Sequence, residues 1–411
     1  MFGSEPDALL QKSLGRLPQV LCARNLRHDI DDLVKPILPA RPAVVFDHNT
    51  GEALGERICR ALKAVPVLLA GNPAADMETV DYVRREAAEC AGLVAVGGGT
   101  INDICKYASF ADGKPYVVFP TAASMNGYLS ANASIAVEGY KTTLPARMPE
   151  AVFCDLSVIA GAPVRLSRSG LGDSLARPTA QADWLLSHLL LGTAYDETPF
   201  ALLKPFEPHL FENARGIGKG DMESIEALMK VLLLSGLGMT IAGGSYPASQ
   251  GEHMVAHAME MLSARHSREG GNPGSFHGEE IGVTTLAVSK RQEALLRKKP
   301  TLLPLQFPTE ILEKLWEKKA MEEADQTYKI KLARIIENDL DSRLRGNDGW
   351  WESIAARIES IMLPSASIQA ILKAADAPGT PEALGWDMGA YATAMNYARF
   401  LRDRFTFLDL E

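Results

Sequence analysis

The sequence predicts an α/β domain with a parallel sheet over residues 1–155, followed by an α-helical domain over residues 156–411. Three observations support this fold class. Short apolar runs alternate with helical stretches in the first part. Most of these runs end at Gly, Pro, Asp or Asn, where parallel sheets place their ligand-binding loops. Beyond residue 156 the strand pattern fades and long helical periodicities follow.

The individual elements follow from hydrophobic patterning. The apolar runs predict strands over residues 43–46, 65–69, 93–96, 116–119 and 151–153. Apolar residues that recur at intervals of three and four predict helices over 55–64 and 77–91. The same periodicity predicts the helices of the second part, over 171–191, 222–236, 252–262, 279–289, 309–338 and 388–402.

Composition excludes several classes of protein. The chain of 411 residues carries a net charge of −9, which disfavours a non-specific nucleic-acid or anionic-membrane binder. No uninterrupted apolar run is long enough to predict a membrane helix, and the N-terminus does not resemble a secretory signal. The five cysteines form no CxxC motif, which predicts reduced thiols. We therefore expect a soluble, cytoplasmic protein of enzyme size.

A glycine-rich turn is the first candidate binding loop. The strand over 93–96 runs into Gly97, Gly98 and Gly99, and a helix with Thr100 and Asp103 follows. Glycines let a backbone approach a pyrophosphate closely, and a helix N-terminus offers unpaired N–H groups. The spacing is not the usual G-x-G-x-x-G of dinucleotide-binding folds, and a simple tight turn remains the alternative.

A second loop, rich in small polar residues, follows the strand over 116–119. Thr121, Ser124, Asn126 and Ser130 lie in it, and the hydroxyl groups could bind a phosphate or a nicotinamide ribose. Two such loops at adjacent strand ends favour a cofactor site. Asp47 ends an earlier strand, where an acid either accepts hydrogen bonds from an adenosine ribose or caps a helix.

The helical part contains candidate metal ligands. His253 and His257 are four residues apart, hence on one helix face, while His277 opens another predicted helix. Asp173 follows a glycine at the start of a third. One Asp and two His can hold a divalent metal and leave a position open for substrate. Each residue also fits a structural role, since Asp173 could cap its helix and paired histidines are often core or surface residues.

Other features predict no chemistry. Residues 267–274 and 342–349 resemble each other and predict exposed Gly- and Asn-rich loops. The sequence has no G-x-S-x-G motif and no cysteine paired with histidine, so covalent catalysis is not expected.

The order of the motifs resembles that of a known superfamily. GGGT-x-x-D, PTxAS-x-x-G-x-x-S, GLGDSLAR, EHxxxHxxE and HGEE follow one another as in the iron-containing alcohol dehydrogenase and dehydroquinate synthase-like superfamily. Within it, the sequence is most similar to the sn-glycerol-1-phosphate dehydrogenase branch. The resemblance covers residues 40–290 and extends only loosely over the last hundred. It implies a Rossmann-like α/β N-terminal domain that binds NAD(P), and an all-α, metal- and substrate-binding C-terminal domain.

The resemblance also implies an activity and a site. The activity is a metal-dependent, NAD(P)-linked interconversion of dihydroxyacetone phosphate and sn-glycerol 1-phosphate, a reaction of phospholipid metabolism, in a homo-oligomer of two or more chains. NAD or NADP would be bound by Asp47, Gly97, Gly98, Gly99, Thr100, Asp103, Thr121, Ser124 and Ser130. Zinc, or alternatively nickel or iron, would be held by Asp173, His253 and His277, with Asp173 and His257 as catalytic residues and Asn126, Lys141 and His257 against the substrate.

Two departures keep alternatives open. Asn126 stands where this branch usually has an aspartate that touches substrate, and residues 263–274 look like an inserted loop. These features motivate a catalytically inactive nucleotide- or metal-binding relative. A dehydroquinate synthase-like lyase with bound NAD is the other alternative, although that branch has a glutamate at the position of Asp173.

Overall fold

Six parallel strands form the sheet of a computed structural model that describes residues 2–137, 140–266, 274–346 and 349–411. Their order is β1-β8-β5-β4-β2-β3, and β6 and β7 form a separate antiparallel hairpin. The strands are β1 Gln19–Ala23, β2 Ala43–Asp47, β3 Val65–Leu69, β4 Leu93–Gly97, β5 Tyr116–Pro120, β6 Asn132–Val137, β7 Tyr140–Pro145 and β8 Ala151–Asp155. All five predicted strands are confirmed, with ends that differ by at most two residues.

The first strand and the hairpin were not predicted. Strand β1 lies at the edge of the sheet and is mostly half-buried, unlike the buried central strands. The two strands of the hairpin pair with each other, and among the described residues one further bridge joins the hairpin to another segment, between Asp76 and Ala136. Both segments carry only a short signal, the apolar run 20–23 in β1 and the alternating Ala133, Ile135 and Val137 in β6, and sequence analysis did not use it.

Twenty α-helices account for most of the remaining described chain. Up to residue 244 they are α1 Ser4–Leu14, α2 Ile30–Val34, α3 His48–Thr50, α4 Glu56–Leu62, α5 Met77–Glu86, α6 Gly99–Asp112, α7 Leu156–Ala160, α8 Val164–Leu191, α9 Thr198–Leu203, α10 Glu207–Glu212, α11 Ala214–Gly218 and α12 Met222–Ile241. The others are α13 Gly251–His266, α14 His277–Leu296, α15 Thr309–Leu315, α16 Lys318–Glu337, α17 Leu340–Arg345, α18 Trp350–Glu359, α19 Ser365–Ala374 and α20 Met388–Tyr397.

Most predicted helices are present, but one is divided. The helix predicted over 309–338 is two helices, α15 and α16, because Trp316 adopts an extended backbone and turns its side chain into the core. The helix predicted over 55–64 begins as a turn of π-helix at Gly51–Gly55 before α4. Of the two repeat-like stretches, 267–274 lies outside the described residues except for Gly274. In the second stretch the predicted exposed loop is wrong over residues 342–345, because these residues belong to α17 and Leu344 is buried.

The chain divides into two units at other places than residue 155. One unit comprises residues 1–171 and 198–244, and the other comprises 172–197 and 245–411. The first unit therefore contains all eight strands and also α9–α12, which the predicted boundary assigned to the second domain. In the second unit the described residues form helices and one isolated bridge between Leu302 and Leu410.

Each unit has its own apolar core. In the first, alternate residues of β2, β4, β5 and β8 pack against α2 and α4. Helix α12 is long and apolar enough to meet the length and hydropathy of a membrane span, but most of it is buried in the folded chain. In the second unit, α8 and α14 pack with α16–α18 and with residues 405–410.

Candidate functional site

The two predicted loops lie side by side at the carboxyl edge of the sheet. Strands β4 and β5 are neighbours, and their last residues, Gly97 and Pro120, are in register. This confirms that the loops follow adjacent strands. Gly98 is the N-cap of α6, which no side chain of the described residues caps, while Thr100 is exposed. The first turn of α6 thus presents its N–H groups and the positive end of its dipole.

Glycines bring the two loops into contact. A Cβ on Gly99 would lie 2.9 Å from Cγ of Met125 in the second loop, and one on Gly98 would lie 3.7 Å from Oγ of Ser124. A Cβ on Gly97 would lie 2.5 Å from Cδ1 of Ile101. Side chains at Gly97 and Gly99 would therefore need space that the loops already fill.

Helices pack closely on the backbone of the second loop. A Cβ on Gly236 of α12 would lie 2.8 Å from the carbonyl oxygen of Asn126, and one on Gly170 of α8 would lie 2.0 Å from that of Ala123. Within the loop, the Tyr128 hydroxyl donates to the Ala122 carbonyl at 2.8 Å. The close approach of α8 and α12 to this loop therefore requires glycine at positions 170 and 236.

A fully buried lysine, which sequence analysis overlooked, fixes the end of this loop. Lys106 Nζ donates to the carbonyls of Gly127 at 2.5 Å and Asn132 at 3.0 Å, and to Ser130 Oγ at 3.0 Å. It also lies 3.4 Å from Oδ1 of Asp103. Burial lowers the pKa of Lys106 from its ordinary value, although Asp103 opposes the shift.

Two predicted cofactor residues are engaged within the chain. Oδ2 of Asp103 accepts from the Ser134 N–H at 3.0 Å, so its carboxylate joins α6 to the hairpin. The buried Ser130 hydroxyl contacts the Gly127 and Asn132 carbonyls. The sequence signal for these contacts was that Asp103 and Lys106 are three residues apart and therefore lie on one face of α6.

The structure also places three other predicted site residues of the first unit, Asp47, Thr121 and Lys141. Asp47 caps α3, because its Oδ1 accepts from the Thr50 N–H at 2.8 Å while Thr50 Oγ1 accepts from the Asp47 N–H at 3.0 Å. Thr121 is buried, and its N–H donates to the Gly97 carbonyl. Lys141 lies in β7, but its side chain falls outside the described part of the chain.

In the second unit, three helices bring the predicted metal ligands together. Asp173 lies in α8, His253 in α13 and His277 at the first position of α14. One potential ligand atom from each lies within 4.8 Å of the other two. The side chains of Asp173 and His253 are 2% and 6% exposed, and that of His277 is 33% exposed. Asp173 is inside its helix, so it is not the helix cap that the alternative predicted.

Three imidazoles cluster there. The ring centroid of His257 lies 6.2 Å from that of His253 and 5.7 Å from that of His277, while the latter two are 5.4 Å apart. His257 is one turn beyond His253 on α13 and is partly exposed. The arrangement offers two buried ligand residues and two more accessible histidines.

Two glutamates orient these histidines, and sequence analysis quoted them without a role. The buried Glu252 lies 2.9 Å from Nδ1 of His253, whose Nε2 faces Asp173 at 3.6 Å. Burial lowers the pKa of His253, but the contacts with Asp173 and Glu252 outweigh burial and raise it above its ordinary value. Glu260 lies 3.5 Å from Nδ1 of both His257 and His277. A carboxylate at hydrogen-bond distance, such as that of Glu252, fixes the orientation and tautomer of an imidazole.

A close crossing of two helices positions Asp173 and His277, two of the predicted metal ligands. A Cβ on Gly172 would lie 2.0 Å from the carbonyl oxygen of Gly278 and 3.3 Å from the N–H nitrogen of Gly282. Gly172 precedes Asp173, and Gly278 follows His277. Backbone contact between α8 and α14 therefore determines how far these two ligands lie apart.

Comparison with known proteins adds sequence relatives. A family model for iron-containing alcohol dehydrogenase matches residues 23–163. A glycerol-1-phosphate dehydrogenase [NAD(P)+] from Bacillus velezensis is 35% identical over 305 residues, which cover 71% of this chain and 76% of the relative. One from Pyrococcus furiosus is 34% identical over 297 residues, covering 71% and 83%.

Solved structures share the fold at low sequence identity. A sulfoacetaldehyde reductase from Bifidobacterium kashiwanohense, solved in complex with NAD+, superposes with a TM-score of 0.59 at 14% identity. The match covers 95% of each chain. Together with the parallel sheet and the helical second unit, this confirms the predicted fold class, an α/β Rossmann-like part followed by an α-helical, dehydroquinate synthase-like part.

Proposed function

This chain belongs to the glycerol-1-phosphate dehydrogenase family of iron-containing alcohol dehydrogenases, and from that premise we propose its activity. It is a metal-dependent, NAD(P)-linked oxidoreductase that interconverts dihydroxyacetone phosphate and sn-glycerol 1-phosphate. The observation that carries the proposal is the cluster of Asp173, His253 and His277, whose ligand atoms lie within 4.8 Å of one another. A buried acid, a buried imidazole and a half-exposed imidazole suit a divalent metal that must also be reached by substrate.

The contacts around Asp173, His253 and His277 also suit a metal site. Glu252 faces Nδ1 of His253 and would keep the proton on that nitrogen, so that Nε2, which lies on the side of Asp173, is left to bind the metal. One carboxylate and two imidazoles are compatible by ligand type with zinc, nickel or iron. When bound, the metal would polarise the substrate carbonyl, and the nicotinamide would carry the hydride.

The glycine-rich turn and the second loop are the proposed NAD(P) site. The N-terminus of α6 and the adjoining Gly97, Gly98 and Gly99 would receive the pyrophosphate on backbone N–H groups. Thr100 and Ser124 would add hydroxyl contacts, and Thr121 would shape the loop. Asp103 and Ser130 would act by holding the second loop rather than by facing an anion, since both have partners in the chain. Asp47 would reach the adenosine ribose with its second carboxylate oxygen.

His257 is the proposed proton donor. Its side chain is 19% exposed and lies one turn beyond His253, within 5.7 Å of the His277 ring centroid. Glu260 near Nδ1 would keep a proton on that nitrogen, which leaves Nε2 to exchange a proton with the substrate oxygen. Asn126 and Lys141 are the proposed substrate contacts, the latter for the phosphate.

The test is NAD(P)H consumption with dihydroxyacetone phosphate, using zinc- and nickel-reconstituted protein and an Asp173→Ala variant. Turnover that vanishes together with bound metal in Asp173→Ala supports the proposal. A His257→Asn variant should keep stoichiometric metal, lose about 100-fold in turnover and lose one limb of the pH profile.

Other outcomes identify the alternatives. Stoichiometric metal without turnover would indicate that Asn126 has changed the substrate, and an Asn126→Asp variant should then restore activity. A wild-type protein with neither metal nor turnover would contradict the proposal and favour an inactive relative. Phosphate release from a seven-carbon phosphorylated sugar acid, with no net change in NAD, would favour the lyase.

A further inference from the structure

Asp183 is a buried acid that accepts three hydrogen bonds. Its side chain is 0% exposed and lies in α8. Oδ2 accepts from the Gly251 N–H at 3.0 Å, while Oδ1 accepts from the Phe407 N–H at 3.0 Å and from Nε2 of Gln292 at 3.2 Å. The three donors come from α13, from residues near the end of the described chain and from α14.

These contacts join every helix that carries a proposed metal ligand. Asp183 shares α8 with Asp173, Gly251 is two residues before His253, and Gln292 is on α14, which begins at His277. The approach to α13 is close, because a Cβ on Gly251 would lie 2.7 Å from Oδ2 of Asp183. One carboxylate thus fixes the N-terminus of the helix that bears His253.

The contact continues to the ligand itself. Glu252, next to Gly251, accepts from the Gln250 N–H at 2.8 Å and holds Nδ1 of His253 at 2.9 Å. Any shift of the first turn of α13 moves Glu252 and therefore the imidazole that it orients. We propose that Asp183 is a positioning residue of the metal site and that the segment containing Phe407 belongs to the scaffold of that site. This inference rests on the proposed metal site.

Only a carboxylate satisfies this position. All three partners of Asp183 are N–H donors, so they need two acceptor oxygens. An asparagine has one, and its amide nitrogen would face either Gly251 or the pair of Phe407 and Gln292, donor against donor. Asp183→Asn therefore changes few atoms but loses at least one buried hydrogen bond.

The segment around Phe407 is built into the second unit. Phe407, Leu408 and Leu410 are buried, and Nε of Arg291 on α14 donates to the Phe407 carbonyl at 3.1 Å. Lys331 on α16 donates to Asp409 at 2.9 Å. The segment is thus held on both sides of Phe407, whose N–H donates to Asp183. Residues far beyond the recognisable motifs therefore help to place His253.

The experiment measures metal affinity and coordination in the full chain at about pH 8, above the pKa of about 7 to which burial raises Asp183. Cobalt(II) and zinc(II) are titrated against a chelator, and the visible absorption of bound cobalt reports ligand geometry. Asp183→Asn should lower the affinity for both metals about 10- to 100-fold and alter the absorption band of bound cobalt. The matched control is Glu293→Gln on α14, where Glu293 accepts from the Ser365 N–H at 2.6 Å. It should lower the unfolding midpoint but leave affinity and spectrum unchanged.

The outcomes separate the inference from the proposed function. A wild-type chain that binds neither metal overturns both. Wild-type affinity and spectrum in Asp183→Asn overturn the inference alone, as does an equal metal defect in Glu293→Gln. If Asp183→Asn does not fold, Gln292→Met removes one donor at similar volume. This variant should lower the metal affinity several-fold, and an unchanged affinity overturns the inference.

Discussion

The close crossing of α8 and α14 leads to a quantitative prediction for Gly172→Ala. The new Cβ would lie 2.0 Å from the Gly278 carbonyl oxygen, whereas real Cβ contacts below 3.0 Å essentially do not occur. The atom it meets is backbone, so no side chain can rotate away. The helices must therefore separate by about 1 Å or more, and overpacking of this kind costs roughly 1–3 kcal/mol.

The clash acts against a favourable change in helix propensity. Alanine within a helix is better than glycine by up to about 1 kcal/mol, so a net loss of stability can be assigned to the contact. Because Asp173 and His277 flank the two glycines, separation of the helices also moves these ligands apart. We expect the free energy of unfolding to fall by about 1–2 kcal/mol, and the zinc dissociation constant to rise at least about tenfold.

The assays are urea unfolding and zinc titration against a chelator, with Gly282→Ala as the control. A Cβ at Gly282 would meet the end of a flexible side chain, Cδ2 of Leu372, at 3.2 Å, and Gly172 Cα at 3.4 Å. The control should keep its zinc affinity. Gly172→Ala with wild-type stability and affinity would refute the reasoning, and so would an equal loss in both variants.

Three further predictions concern buried charges and thiols. Lys106→Met should lower the free energy of unfolding by about 3 kcal/mol, because the acceptors of its buried ammonium lose their donor; the urea midpoint measures this. Burial raises the pKa of Asp183 from 3.8 to about 7, so the folded chain retains a proton that the unfolded chain releases. This retained proton contributes fully to the free energy of unfolding below about pH 4. The contribution then falls by about 1.4 kcal/mol per pH unit and is lost as pH rises through 7. Unfolding at several pH values should show this slope in the wild type but not in Asp183→Asn. The thiol of Cys154 lowers the pKa of Cys22, whereas burial raises that of Cys59 to about 11, so iodoacetamide should modify Cys22 first, as peptide mass spectrometry would show.

Local patterns were sufficient to predict the central sheet and the ligand cluster. Strands β2, β4, β5 and β8 are buried on both faces and so appear in the sequence as uninterrupted apolar runs. Asp173, His253 and His277 were identifiable because histidine is rare in the chain and because Gly and Glu flank these residues. The structure brings them together through three helices that sequence periodicity had already predicted.

Contacts between distant segments could not be predicted in this way. The partners of Lys106 lie 21 to 26 residues away, in the second loop and the hairpin, and those of Asp183 lie 68 to 224 residues away. A single buried charge has no periodicity that would reveal its partners. The unit boundaries could not be predicted for a similar reason. Helices α9–α12 look helical in sequence, like the second part of the chain, yet they pack in the unit that contains the sheet.

The interleaving of the two units has a consequence for biosynthesis. Residues 172–197 are translated before 198–244, yet they fold with residues 245–411. At about 5–20 residues per second, the roughly one hundred residues between Asp173 and His277 take several seconds to synthesise. Ribosome-bound chains arrested before and after residue 277 should differ in their retention of zinc if this order matters. The proposed metal site lacks His277 on the earlier nascent chain, so a metal held by all three proposed ligands would be bound only after most of the protein has been synthesised.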